Sequence, residues 1–211
     1  MEEEIYKKYL QLEQLNVSRE TCLDFEKFIS MLIKKNQEIN IISKETDTNN
    51  NIRNRHILDS AQLNKFVDTR ENYIMADFGT GAGFPGVVLA IFNKNKNFHV
   101  KLYEKSPVKR EFLRMIREKL NVRFEVCNNI FNENIDADII TCRAFKKLRE
   151  IIVISRETLK KPHKIVILKG KNAQEEINNV SLEANYSYKL EKSITDDDSK
   201  IIVINVSLNE K

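Results

Sequence analysis

The chain of 211 residues is poor in the residue types that build several common kinds of site. It has three cysteines, three histidines and five glycines. Cys22, Cys127 and Cys142 are odd in number and lack Cys-x-x-Cys spacing, which argues against a disulfide framework or a zinc site and suits a reducing compartment. No His, Cys and carboxylate cluster has ligand spacing, so no metal is expected. No stretch approaches the ~20 uninterrupted apolar residues of a membrane-spanning helix, and no membrane association is expected. The Met-Glu-Glu-Glu start lacks the basic segment of a secretory signal, so the expected location is cytoplasmic. The expected state is a monomer. There are no internal repeats.

What is present is globular. Hydrophobic residues make up 41% and charged residues 31%, in a length sufficient for a substantial core. Charge is unevenly spread around a net +4. Residues 1–26 hold seven acids and three bases, whereas residues 143–171 hold ten Lys or Arg against two Glu. A basic C-terminal half can offer a face to phosphates.

The chain is organised around residues 72–86, where four of the five glycines (Gly79, Gly81, Gly83, Gly86) occupy the last eight positions. Tyr73 to Ala76 reads as a strand and Pro85 to Phe92 as a helix. A strand, a glycine-packed turn and a helix start form a ligand-binding element. Missing Cβ atoms admit a ligand to the backbone, and the first helical amides attract electronegative atoms. Gly81-x-Gly83-x-x-Gly86 satisfies the dinucleotide fingerprint. Asp77-x-Gly79-x-Gly81-x-Gly83 satisfies the signature of S-adenosylmethionine methyltransferases. An acid at the strand end would repel a pyrophosphate and suits the ammonium of a methionine moiety, so the methyl donor is favoured.

Before this element, residues 1–70 read as a helical extension. Residues 2–15 suit a short helix, and Ser18 offers an N-cap for a longer one with Cys22, Phe25, Ile29, Leu32, Asn36 and Ile39 on one stripe. A polar, mobile break at 43–51 and a helix over about 52–67 follow. Residues 71–211 read as the catalytic domain. Strands end at Glu104, Cys127-Asn128, Arg143 and Lys169, with helices between them, implying a parallel, doubly wound α/β sheet. Tyr186–Ile194 and Lys200–Leu208 are joined too tightly for a parallel crossover, so one antiparallel strand is expected. The whole is a class I, Rossmann-like sheet of about seven strands with an N-terminal helical cap.

Ligands of open α/β sheets bind outside the carboxyl ends of the strands. That rim gathers Asp77, Glu104, Arg143 and Lys169, with Glu104 placed to accept ribose hydroxyls. Other residues invite function less convincingly. Buried Cys127 and Cys142 fit packing better than nucleophilic catalysis. His56 and Asp59, one turn apart, fit a helix tie better than an acid–base pair. Tyr188-x-x-x-Lys192 has short-chain dehydrogenase spacing but falls in a strand. His99 and His163 flank strand starts.

Together Asn40-Ile-Ile42, Arg55-His-Ile-Leu-Asp-Ser60, Asp77-Phe-Gly-Thr-Gly-Ala-Gly-Phe-Pro-Gly86, Lys109-Arg-x-Phe-Leu113, Arg143-Ala-Phe145 and Leu168-Lys-Gly170 resemble the bacterial ribosomal RNA small subunit methyltransferase G family, also called glucose-inhibited division protein B. The resemblance spans nearly the whole chain. It implies transfer of a methyl group from S-adenosylmethionine to guanine N7 in a 16S rRNA loop near the decoding centre, on naked rRNA or within the 30S particle. By this resemblance Gly79, Phe84, Ile130, Phe131 and Arg143 fall where the cofactor contacts lie, beside Asp77, Gly81, Gly83 and Glu104. After the third strand the family usually has a basic residue, a small apolar one and a Glu, where this chain has Asn129, Ile130 and Phe131. Arg143 and Lys169 are the expected catalytic cations for guanine O6, and Lys109, Arg110, Lys146, Lys147 and Arg149 the expected phosphate contacts. The rival readings are an NAD-dependent oxidoreductase and a non-enzymatic basic RNA-binding module.

Overall fold

A run of alternating strands and amphipathic helices with one reversed strand builds a seven-stranded mixed sheet in the computed structural model, which describes residues 2–15, 17–67, 69, 72–180 and 185–207. The strands are β1 (Ile74–Phe78), β2 (His99–Tyr103), β3 (Glu125–Cys127), β4 (Ile139–Arg143), β5 (His163–Lys169), β6 (Tyr186–Lys192) and β7 (Lys200–Val206). Their spatial order is β3-β2-β1-β4-β5-β7-β6. β7 pairs antiparallel with both neighbours and every other pairing is parallel, as the short 193–199 link demands. The order reverses between β1 and β4, which opens a crevice at their carboxyl ends.

The extension supplies α1 (Glu2–Lys7), α2 (Arg19–Glu38), α3 (Asn49–Ile52) and α4 (Asp59–Ala61). Ser18 caps α2 by accepting from Thr21 N. The expected stripe on α2 is buried except at Ile39, which is half-buried. Asn36 closes this helix by accepting from the amides of both Ile41 and Ile42, which explains a polar residue on a buried stripe. Two expectations need correction. Residues 2–15 form α1 and a separate 3₁₀ turn, Leu10–Leu15, instead of one helix. The polar 43–51 break is folded: Lys44–Thr46 is a 3₁₀ turn, and Thr48 caps α3. Between α3 and α4 the helix widens into a π turn, Arg53–Leu58.

The sheet's own helices are α5 (Gly86–Phe92), α6 (Pro107–Leu120), α7 (Leu148–Thr158) and α8 (Ala173–Asn178). The extension packs against α5 and α6, with Phe25 on Phe92 and Phe28 on Phe84 at ring separations of 5.5 and 5.4 Å. Phe25, Phe28 and Leu32 thus share one core with Val87, Leu102 and Leu113, while α7 and α8 cover the other face. Inside the extension Arg53 makes a two-point ion pair with Glu26 at 2.8 and 2.9 Å, and Tyr9 donates to the same carboxylate. On α6 Phe112, Leu113, Ile116 and Leu120 are buried, whereas Val108 in the first turn is exposed.

Candidate functional site

The turn after β1 needs its glycines for two different reasons. Gly79, Gly81 and Gly83 have φ of +67°, +60° and +105°, which side chains rarely adopt. Gly86 has ordinary dihedrals, but a Cβ there would collide with Leu102 and lie 2.6 Å from Asp77 Oδ2. That closeness serves Asp77, which is fully buried and accepts from Gly86 N at 2.8 Å. Burial pushes the Asp77 carboxyl up to about 6, against the hydrogen bonds that favour its charged form. Asp77 therefore lies beneath the loop and anchors it to α5; it does not face outward to receive an ammonium.

At the carboxyl ends of β1 to β4 lies a cleft of about 520 Å³. Gly79 and Gly81 form one wall, Tyr103, Glu104 and Lys109 a second, Asn129, Ile130 and Phe131 a third. The β4–α7 loop closes it with Ala144, Phe145 and Lys146. Glu104 accepts from Gly81 N at 3.0 Å through one oxygen and from Ser106 N at 2.8 Å through the other. Each oxygen keeps a second lone pair, so the carboxylate both shapes the turn and can still accept from a ligand hydroxyl. Ile130 is buried, whereas Phe131 is 61% exposed at the lip. Phe145 lies under Gly79 and edge-on to Phe78. Ala144 holds φ +50°, a strained value for a residue with a Cβ.

Several residues expected at the ligand sit elsewhere. Gly83 is buried against Val87 and Leu113 and does not line the cleft. Phe84 is buried in the core, stacked on His56 at 4.9 Å and under the Arg143 guanidinium at 5.1 Å. Arg143 does not line the cleft. It turns back to the extension, donating to Arg55 O at 2.6 Å and to His56 Nδ1, with Asp59 at 3.7 Å. A guanidinium only donates, so Nδ1 accepts, and Nε2 carries the proton toward Thr46 Oγ1 at 3.2 Å. His56 is accordingly neutral: burial first, then the charges of Arg143 and Arg55, hold its pKa down at about 3. Asp59 also accepts from Thr195 Oγ1 at 2.6 Å, joining the extension to the β6–β7 link.

Lys169 is likewise occupied. Its ammonium donates to Lys146 O at 2.6 Å and to Glu176 at 2.9 Å, and Glu176 accepts from Leu148 N at the start of α7. So the two cations expected to be catalytic stand behind the β4–α7 loop and hold it. Arg110 donates through Nη1 to the carbonyls of Glu104 and Lys105, both at 2.8 Å, which fixes the end of β2 and commits one of its nitrogens. Lys109 and Lys146 line the cleft, Lys146 also reaching Glu150 at 2.7 Å. Lys147 and Arg149 are exposed at the start of α7. Tyr103, Lys105, Asn129, Ala144 and Phe145 line the cleft beyond the expected set, although Ala144 and Phe145 belong to the Arg-Ala-Phe motif. Cys127 and Cys142 are buried, and burial raises both thiols, Cys127 to about 12. His163 is tied to Ser155 and Lys161 O at the far end of β5. Tyr188 and Lys192 lie on β6.

Comparison with known proteins bears on the same elements. A curated relative from Pelagibacter ubique, "Ribosomal RNA small subunit methyltransferase G", is 42% identical over 206 residues, covering 96% of each chain. One of the same name from Orientia tsutsugamushi (strain Ikeda) is 41% identical over 192 residues, covering 90% of this chain and 93% of its own. Among solved structures, the Bacillus cereus O-methyltransferase in complex with SAH superposes with a TM-score of 0.61 at 16% identity, over 86% of this chain and 91% of that one, a likeness of fold. The family model for rRNA small subunit methyltransferase G, GidB, matches residues 21–201, from within α2 to the start of β7. With the glycine turn, the strand-end cleft and the start of the reversed β7 all inside that span, the chain belongs to the rRNA small subunit methyltransferase G family.

Proposed function

We propose that this protein transfers a methyl group from S-adenosylmethionine to guanine N7 in a loop of 16S rRNA near the decoding centre. The observation that carries the reading is the strand-end cleft, where a glycine turn and a buried Glu104 face Phe131 and the lysines Lys105, Lys109 and Lys146. These residues fit the donor. A Cβ at Gly81 would meet nothing nearer than Gly79 O at 3.9 Å, so that side of the turn is open to a ligand. Glu104 would hold the ribose hydroxyls, Ile130 and Phe131 would flank the adenine, and the Gly79–Gly81 backbone would take the methionine end. When bound, the donor supplies an electrophilic methyl group.

The chain's task is then alignment. Guanine N7 bears a lone pair and no proton, so no general base is required. The surroundings of His56 support this: the imidazole is turned to Arg143, and its low pKa makes it a poor base. Fixing the attacking atom in line can remove roughly 7–11 kcal/mol from a barrier. We assign that positioning to the β4–α7 loop. Arg143 and Lys169 hold it from behind, and Lys146 presents a cation to the side where guanine O6 would lie.

Incubating the protein with labelled donor and small-subunit rRNA, both naked and within the 30S particle, then cleaving the RNA with borohydride and aniline, tests the reading. Strand scission at one methylated guanine is expected. Label at a guanine that resists this cleavage would overturn N7 as the target, and absence of label with a bound donor would overturn the rRNA substrate.

A further inference from the structure

The strands that form the donor cleft at their carboxyl ends form a second hollow, of about 430 Å³, at their amino ends. Four cations line it: Lys96 before β2, Lys101 on β2, Arg117 near the end of α6 and Arg123 before β3. None of the four makes an ion pair or a side-chain hydrogen bond among the described residues, and Glu125 is the one acid in the lining. The floor is apolar, with Val100 and Phe124 both buried. Elsewhere this chain pairs cations that need no ligand: Arg53 with Glu26, Lys161 with two aspartates, Lys169 with Glu176. A concave cluster left unneutralised is a place for a polyanion.

The hollow is joined to the donor cleft by α6. Lys109 lines the cleft and Arg117 lines the hollow, eight residues further along one helix, roughly 12 Å at the helical rise. Exposed Arg114 stands between them, on the same face as Arg117. Glu111 and Glu118 flank Arg114 at i−3 and i+4, so the charge along this stretch of α6 is mixed between the two cationic ends. A short run of extended single strand can bridge that distance.

On the RNA-substrate reading above, we infer that the Lys96–Lys101–Arg117–Arg123 hollow is a second anchoring site for the phosphate backbone of the substrate RNA, reached from the donor cleft along α6. The partner is RNA because the hollow gathers four cations against one acid, and α6 runs from it to the cleft where the target base must enter. Its contribution is positional. The hollow grips RNA flanking the target and thereby sets which segment can reach the methyl donor.

The test uses the whole protein and a transcript of the small-subunit rRNA, with affinity read by fluorescence anisotropy across a salt series. The variant Arg117→Glu/Arg123→Glu should weaken binding and flatten the log–log salt slope by roughly 0.7 for each single-strand phosphate that the protein no longer neutralises. KM for RNA should rise, while calorimetric affinity for S-adenosylmethionine holds. Lys96→Ala/Arg123→Ala, both at exposed positions, should flatten the slope in the same direction and keeps the test decisive if charge reversal perturbs folding. A normal wild-type slope that survives in both variants overturns the second anchor alone. A wild-type protein whose RNA affinity ignores salt overturns the RNA reading and this one with it. Variants that bind naked rRNA normally but lose affinity for the assembled 30S particle would give the hollow to a protein partner and overturn the RNA assignment.

Discussion

Gly81 and Gly86 belong to one turn and serve opposite ends. Gly86 is needed by the fold, since an added methyl would meet Leu102 and Asp77. Gly86→Ala should therefore cost about 1–3 kcal/mol, as overpacking does, seen as a lower urea midpoint. Gly81 is needed by the turn for its φ of +60°, but unlike Gly86 it leaves open space on the side that faces the cleft. Gly81→Val should lose stability to the positive φ and, in the protein that still folds, lose S-adenosylmethionine binding; normal calorimetric affinity in that variant would sink the cleft assignment. His56 adds a pH signature. Its folded pKa of about 3 lies below the ordinary 6.5, so between these values the unfolded chain takes up a proton that the folded one excludes. Stability from this residue is thus present above pH 6.5 and lost as pH falls toward 3, at most about 2 kcal/mol between pH 7 and 5. Asp77 works the other way, gaining stability as pH falls through about 6, but it is common to both proteins and drops out of a comparison. Relative to wild type, His56→Gln should gain stability on going from pH 7 to 5, and parallel pH profiles would refute the buried neutral imidazole.

At the scale of elements, the β4–α7 loop is held at two points. From one side Arg143 fastens the end of β4 to the π turn that carries Arg55 and His56. From the other, Lys169 and Glu176 fasten Lys146 and the first turn of α7. The acid also suits the positive end of that helix. Glu176→Ala leaves a mostly buried ammonium and Leu148 N without their partner, and should cost about 2–3 kcal/mol. Lys169→Met/Glu176→Leu should cost less than the sum of its single variants, because removing both partners strands neither. For Arg143 the expected readout is the single-turnover methylation rate. Arg143→Ala should lower it in a folded protein that still binds donor. Arg143→Lys should restore only part, because an ammonium cannot meet Arg55 O and His56 in one plane. A rate unchanged in Arg143→Ala would remove the loop from the chemistry.

Across the whole molecule, the division at residue 70 is one of sequence order more than of packing. Phe25, Phe28 and Leu32 bury themselves against α5 and α6, so neither part closes its core alone. We expect one cooperative unfolding transition. The chain has no tryptophan, so near-ultraviolet tyrosine signals and far-ultraviolet circular dichroism are the two probes to compare. Their midpoints should coincide, and Phe28→Ala should shift both by about 3–5 kcal/mol. Separate midpoints would show the extension folding independently.

Residue order alone settles the sheet, its one reversed strand, the glycine turn and the family. The first three rest on local information: period-two and period-3.6 patterns, Ser18 as a cap, a link too short for a parallel crossover; the family rests on the resemblance of motifs such as Arg55–Ser60 and Asp77–Gly86. It also places Asp77, Glu104, Arg143 and Lys169 at strand ends. What it leaves open is the direction each of those side chains takes there. Asp77 turns under the loop, Arg143 and Lys169 turn away from the cleft, and Phe84 joins the core, while Phe131 and Lys146 line the cleft. Those choices depend on partners 7 to 88 positions distant in the chain, such as Arg55 for Arg143 and Glu176 for Lys169. A buried charge goes wherever a partner compensates its lost hydration, and only the packed structure brings that partner within reach.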